Sequence, residues 1–197
     1  MGDMPRGSQV VKPRSYPRLA NLLGTLSTGV TDAINESTAA AADLDGAAPA
    51  ALVALLDFVP SGSVQALSQV VGLTHSGAVR IVDRLVAEGL VNRGASRDAR
   101  TRSITLTASG MKVALRVRRA RDRVVGQAIE QLTDNERATL TKLCERLIAD
   151  ITRHRLEQRR AGDTPAGGAL CRMCDFGACG REKGNCPAAE AAGQFSG

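Results

Sequence analysis

The sequence predicts a mainly α-helical fold with one small β-hairpin, and three observations predict it. Apolar residues recur at helical spacing over six stretches. Residues 90–93 and 102–106 read as short strands around a charged loop that opens with Gly94. Thr74 and Thr133 stand at the start of two of the helical stretches, where a side-chain oxygen can cap free backbone amides.

From Tyr16 to Ser37, Leu19, Leu22, Leu23, Leu26, Val30, Ala33 and Ile34 fall on one helical face. A helix end and loop then run to Ala48, closed by Gly46 and Pro49. A second helix covers about 49–59 and stops at Pro60. Ser63 to Val71 is a short helix with Val64, Leu67 and Val70 inward, ended by Gly72. Thr74 caps a helix to Glu88, whose apolar positions are Ala78, Val79, Val82, Leu85 and Val86. Gly89 ends it, and the two strands follow.

Two long helices come next, about Thr107–Leu132 and one beginning at Thr133, where Thr133 and Glu136 form a capping box. The last helix carries Leu140, Cys144, Leu147 and Ile151 at heptad spacing, continued by His154. Cys144 on that seam reads as packing, with a sensor role as its alternative. A helix of 26 residues is about 39 Å long, more than so small a lobe covers. These helices and the first are therefore expected to meet a second copy, giving a homodimer. The expected layout is a flexible arm over 1–15, a dimerisation helix over 16–46 and a compact lobe over 47–107. Dimerisation helices over 108–160, a linker over 161–170, a cysteine-rich segment over 171–187 and a tail over 188–197 complete it.

The formal net charge is +6. Residues 61–125 hold twelve Lys/Arg against four Asp/Glu, an excess larger than that of the whole chain. So localised a basic region points to a polyanion partner. Aromatics are limited to Tyr16, Phe58, Phe176 and Phe195, which argues against modules that stack unpaired bases. No secretory leader pattern or membrane span is visible, so a cytoplasmic protein is expected.

The order helix, turn at Val71-Gly72-Leu73, helix, hairpin is a winged helix-turn-helix. The second of these helices exposes His75, Ser76, Arg80 and Arg84. Arg80, one turn in, suits a bidentate contact with guanine in the major groove of double-stranded DNA. His75, Ser76 and Gly77 stand at the helix tip, where free amides attract a phosphate or base edge. Thr74 and Arg84 suit phosphates. Arg97, Arg100 and Arg102 lie on a wing that can enter the minor groove.

LSQVVGLTHSGAVRIVDRLVAEGLVNRGASRDARTRSITLTASG resembles the MarR family of bacterial winged-helix regulators. The matching features are the short helix, the recognition helix closing on Leu85-x-x-x-Gly-Leu-Val, the Asp98-x-Arg100 wing and the Leu-Thr-x-x-Gly entry to the next helix. LTDNERATLTKL fits the family's last helix, so the resemblance covers about residues 17–157. It implies an obligate dimer on a pseudo-palindromic operator, usually a repressor released by a signal. It also implies that Asp98 pairs with an Arg to hold the hairpin.

Cys171, Cys174, Cys179 and Cys186 have the spacing C-x2-C-x4-C-x6-C, outside the family's pattern. Four thiolates form a full ligand set for an iron–sulfur cluster, [4Fe-4S] or [2Fe-2S], or for tetrahedral zinc. Only the first pair has zinc-knuckle spacing. The glycines between the cysteines suit a wrap around something bulky, and Cys186-Pro187 matches the close of bacterial ferredoxin runs. A cluster there would make the tail a sensor of oxygen, oxidants, nitric oxide or iron shortage. The alternative gives the tail structural zinc and makes a small phenol or organic acid the effector. A third reading, a redox or electron-transfer protein, finds little support. The chain shows no flavin signature, no phosphate-cradling glycine loop and no His beside a reactive Cys, so no enzyme is expected.

Overall fold

The computed structural model describes residues 16–95, 102–162 and 167–194. The expected arm over 1–15 lies outside these. Among the described residues the chain forms α1 (Pro17–Ala42), α2 (Ala48–Asp57), α3 (Val64–Val71), α4 (His75–Ala87), β1 (Val91–Ala95) and β2 (Arg102–Leu106). Then come α5 (Ala108–Ile129), α6 (Asp134–Arg160), a 3-10 turn at Arg181–Lys183 and α7 (Pro187–Gly193). No described helix is long and apolar enough to cross a membrane.

The core is built around α2, whose Ala51, Leu52 and Ala54 are fully buried. Leu67 of α3, Val82 and Leu85 of α4, Ile104 of β2 and Val117 of α5 close around it. α1 passes Ser37 and continues to Ala42, since Thr38 is buried and its hydroxyl donates to Ile34 O at 2.7 Å. Alanines, the best helix formers, carry the last turn.

The hairpin pairs Val91 with Leu106 through Ala95 with Arg102. Ser63 bridges to Ser103, and Ile104 N donates to Gly62 O at 2.8 Å, tying the wing to the start of α3. Thr107 caps α5 by accepting from Gly110 N at 2.9 Å, and its hydroxyl donates to Gly89 O at 2.8 Å. Gly110 explains the Leu-Thr-x-x-Gly pattern, because a Cβ there would lie 1.9 Å from Leu90 O. Gly110→Ala is expected to cost about 1–3 kcal/mol, read as a fall of about 2–4 °C in Tm per kcal/mol. Thermal unfolding followed by circular dichroism checks it.

Leu19, Leu22, Leu23 and Leu26 on α1 are 48–62 % exposed, and Leu143, Leu147 and Ile151 on α6 are 47 % exposed. α6 buries no residue within the single chain. Between α1, α5 and α6 lies an open apolar groove of about 900 Å³, floored by Leu26, Val30, Ile129 and Leu140, with Cys144 on its edge.

The expectation of an unstructured tail from 188 is corrected. Pro187 opens α7, and Ala188 and Ala191, three residues apart, are buried as the helix packs on α6. The expected linker over 161–170 is corrected in part: residues 167–170 dock on the lobe, with Gly168 buried.

Candidate nucleic-acid interface and thiol centre

α4 is fixed by what it buries and by its cap. Ala78, Val82 and Leu85 face the core, and Thr74 Oγ1 accepts from Gly77 N at 3.1 Å. Gly77 has a further reason to be small, since a Cβ would stand 3.1 Å from that Oγ1. The outward face presents Ser76, Arg80 and Arg84, all exposed and spaced by four. Ser76 Oγ lies 3.3 Å from Thr74 Oγ1, and His75 Nδ1 lies 3.0 Å from Gln65 Oε1 on α3. Arg80 Nε makes only a long 3.5 Å contact with its own helix at Ser76 O. Arg84 pairs with Asp45, whose carboxyl it holds below its usual range.

Gln65 and Asp45 had no sequence signal, being distant in the chain from the residues they hold. Arg97, Asp98 and Arg100 lie outside the described residues. Arg102 opens β2 opposite Ala95.

Two arginines of the Arg116–Arg123 run are tied into the fold. Arg116 Nε donates to Ala41 O at 2.5 Å. Arg118 is largely buried and bridges two carboxylates, Asp57 Oδ2 at 2.9 Å and Asp175 Oδ2 at 3.4 Å. Asp57 ends α2 and Asp175 follows Cys174, so this guanidinium pins the cysteine segment to the lobe. Phe176 adds an edge-on contact with Phe58, ring centroids 5.6 Å apart, and Arg181 stacks 4.5 Å from the Phe176 ring.

Short turns then arrange the thiols. Cys174 N donates to Cys171 O at 3.0 Å, and Asp175 Oδ1 accepts from Ala178 N at 3.0 Å. Cys186 is 2 % exposed and its carbonyl accepts from Glu190 N in α7. The four thiols act on one another, Cys171 chiefly with Cys174. Cys171 also feels the charges of Cys186 and Cys179. Cys174 is drawn down to about 6 by the hydrogen bond from Cys171, with help from Arg121 and Arg181. Cys179 is pushed up to about 11, first by burial and then by its bond to Cys186. All five cysteines are free thiols. Among the described residues no three His, Cys, Asp or Glu side chains stand together in a metal-holding arrangement.

No protein-family model matches the chain, and no curated protein matches it. Solved structures do. The MarR family protein from Bacillus stearothermophilus is 24 % identical, covering 68 % of this chain and 94 % of its own, with a TM-score of 0.60. The chain has the MarR winged-helix fold. Wild-type MarR from E. coli is 22 % identical, covering 66 % of this chain and 96 % of its own, with a TM-score of 0.55. CouR from Rhodococcus jostii RHA1, solved with p-coumaroyl-CoA bound, is 21 % identical over 66 % of this chain and 90 % of its own, at a TM-score of 0.51. α4 stands where the sequence predicts the second helix of the helix-turn-helix.

Proposed function

We propose that this chain is a MarR-type transcriptional regulator, a homodimeric repressor that grips a pseudo-palindromic duplex and whose grip is set by an iron–sulfur cluster on its four C-terminal cysteines. The observation that carries the DNA-binding part is the face of α4. It is a capped helix that exposes Ser76, Arg80 and Arg84 within the basic region, with Arg80 held by nothing stronger than a 3.5 Å contact. Such a helix end offers amides and guanidinium donors to phosphates and base edges together. The half-exposed leucines of α1 and α6 support the dimer, since covering the rest of each is worth about 0.7–1.5 kcal/mol.

Four cysteines within one short docked segment support the cluster, as a full set of thiolate ligands. Cys186 is buried, and the guanidiniums of Arg121 and Arg181 act on Cys174 and offset thiolate charge. Ligation requires the four thiols to converge and lose their protons. A bound cluster supplies a labile centre that responds to oxidants or iron shortage. The residues of this chain hold it against α5 through Asp175 and Arg118.

A second reading keeps the repressor, gives the thiols zinc and makes an organic acid the signal. A cavity of about 190 Å³ between α6, Phe58 and the cysteine segment favours it, with Arg155, Arg159 and Arg181 on its wall. Burial, and then the neighbouring Arg159 and Arg172, lowers the pKa of Arg155.

Protein purified without oxygen separates the two. A brown protein with bound iron and acid-labile sulfide, retaining a selected duplex with affinity that falls steeply as salt rises, is the expected result. A colourless zinc protein that loses DNA on adding benzoate supports the second reading. A protein that retains no duplex in either state contradicts both.

A further inference from the structure

Besides its ring contact with Phe58, the stretch that leads into the cysteine segment touches the turn of the helix-turn-helix itself. α3 ends at Val71, and the last carbonyls of a helix have no partner within it. Ala169 N fills that gap, donating to Val70 O at 2.7 Å. Two glycines make the approach possible. A Cβ on Gly72 would lie 2.2 Å from Gly168 N, and a Cβ on Gly168 would lie 2.0 Å from Val70 O. Gly72 also needs its left-handed φ of +75° to end α3, whereas Gly168 has no such requirement. Gly168 is therefore glycine for the sake of this contact alone.

The strap is held at both ends. Arg155 of α6 donates from Nη1 to Gly168 O at 2.8 Å. On the other side Ala169 and Met173 pack against the core, and Cys171 follows two residues after the docked amide. Gly72 stands two residues before Thr74, the cap of α4. A displacement of the strap thus reaches the first turn of α4 through Gly72, Leu73 and Thr74, with no intervening flexible element.

We propose that residues 167–171 are a latch through which the four-cysteine centre controls the recognition helix of its own chain. The loaded centre orders the cysteine segment and keeps the latch seated on Val70–Gly72, holding α4 in its DNA-binding position. Emptying the centre loosens the segment, frees the Val70 carbonyl and lets the α3–α4 turn move. This rests on the reading of the cysteines as a metal centre, and it adds the route by which that centre acts.

The test compares the full-length chain and its Gly168→Ala variant, each metal-loaded and chelator-stripped. The probe is a duplex selected from a randomised pool by the loaded wild-type protein. Stripping the wild type is expected to weaken binding about tenfold and to raise amide hydrogen exchange over residues 70–78. G168A is expected to keep the metal content and circular dichroism of the wild type. It should bind as weakly as the stripped protein in both states and show the raised exchange throughout. If G168A keeps its metal and the full wild-type response to stripping, the latch is overturned while the metal centre stands. If the wild type takes up no metal, the metal reading fails. The latch is then judged by exchange, and unchanged exchange over 70–78 in G168A overturns it.

Discussion

Arg80→Ala should abolish sequence-specific retention of the operator duplex while leaving the fold and the dimer intact. Arg80 is exposed, contributes nothing to the core, and reaches only Ser76 O within its own helix at 3.5 Å. Its removal therefore leaves stability almost unchanged. A bidentate arginine–guanine pair is worth about 1–3 kcal/mol, and a dimer presents two copies, so the loss is about 2–6 kcal/mol in binding. Arg80→Lys keeps the charge and loses the fork, so it should fall between the two. Arg84→Ala should behave differently, weakening all sequences alike and lowering the salt slope by about one per chain. Its effect is tempered because phosphate must compete with Asp45 for the same guanidinium. Fluorescence anisotropy over a salt series, on selected and unrelated duplexes, separates the two arginines.

Leu22→Glu and Leu147→Glu should each convert the dimer to a folded monomer. Leu22 is 55 % exposed and Leu147 47 % exposed, so neither supports the fold of the single chain. In a symmetric dimer each position is buried twice. The lost burial of about 0.7–1.5 kcal/mol per half-exposed leucine is doubled, and a carboxylate left without a partner adds to it. Sedimentation velocity should show one chain where the wild type shows two, with unchanged helical signal. Binding to a two-half-site duplex should drop to that of a single half-site. A charged variant that stays dimeric would move the interface off these helices.

The parts of the fold that could be read from the sequence are those fixed by local chemistry. Thr74 and Thr133 cap the helices they were expected to cap, since a hydroxyl three residues from an unpaired amide needs no tertiary partner. The hairpin was found near its place because Gly89 and Gly94 bracket a β-rich run, although β1 begins at Val91 and extends to Ala95. What stayed hidden depends on contacts across the chain. Arg118 lies in a run of arginines that looks like a solvated face, and only the two carboxylates brought by α2 and the cysteine segment turn it inward. α7 is a short alanine-rich stretch, and alanine at 188 and 191 signals packing only when α6 is beside it. Gly168 in a small-residue run looked like linker, because its reason, the carbonyl of Val70, is almost a hundred residues away. The thiols themselves were plain in the sequence, but the docking of their segment on the lobe through Asp175 and Met173 was not.

The account stands most directly on the composition of the complex with DNA. Sedimentation equilibrium of the loaded full-length chain with its selected duplex should give two chains per duplex, and the complex should dissociate steeply with salt. One chain per duplex, or equal retention of selected and unrelated duplexes at raised salt, would contradict it.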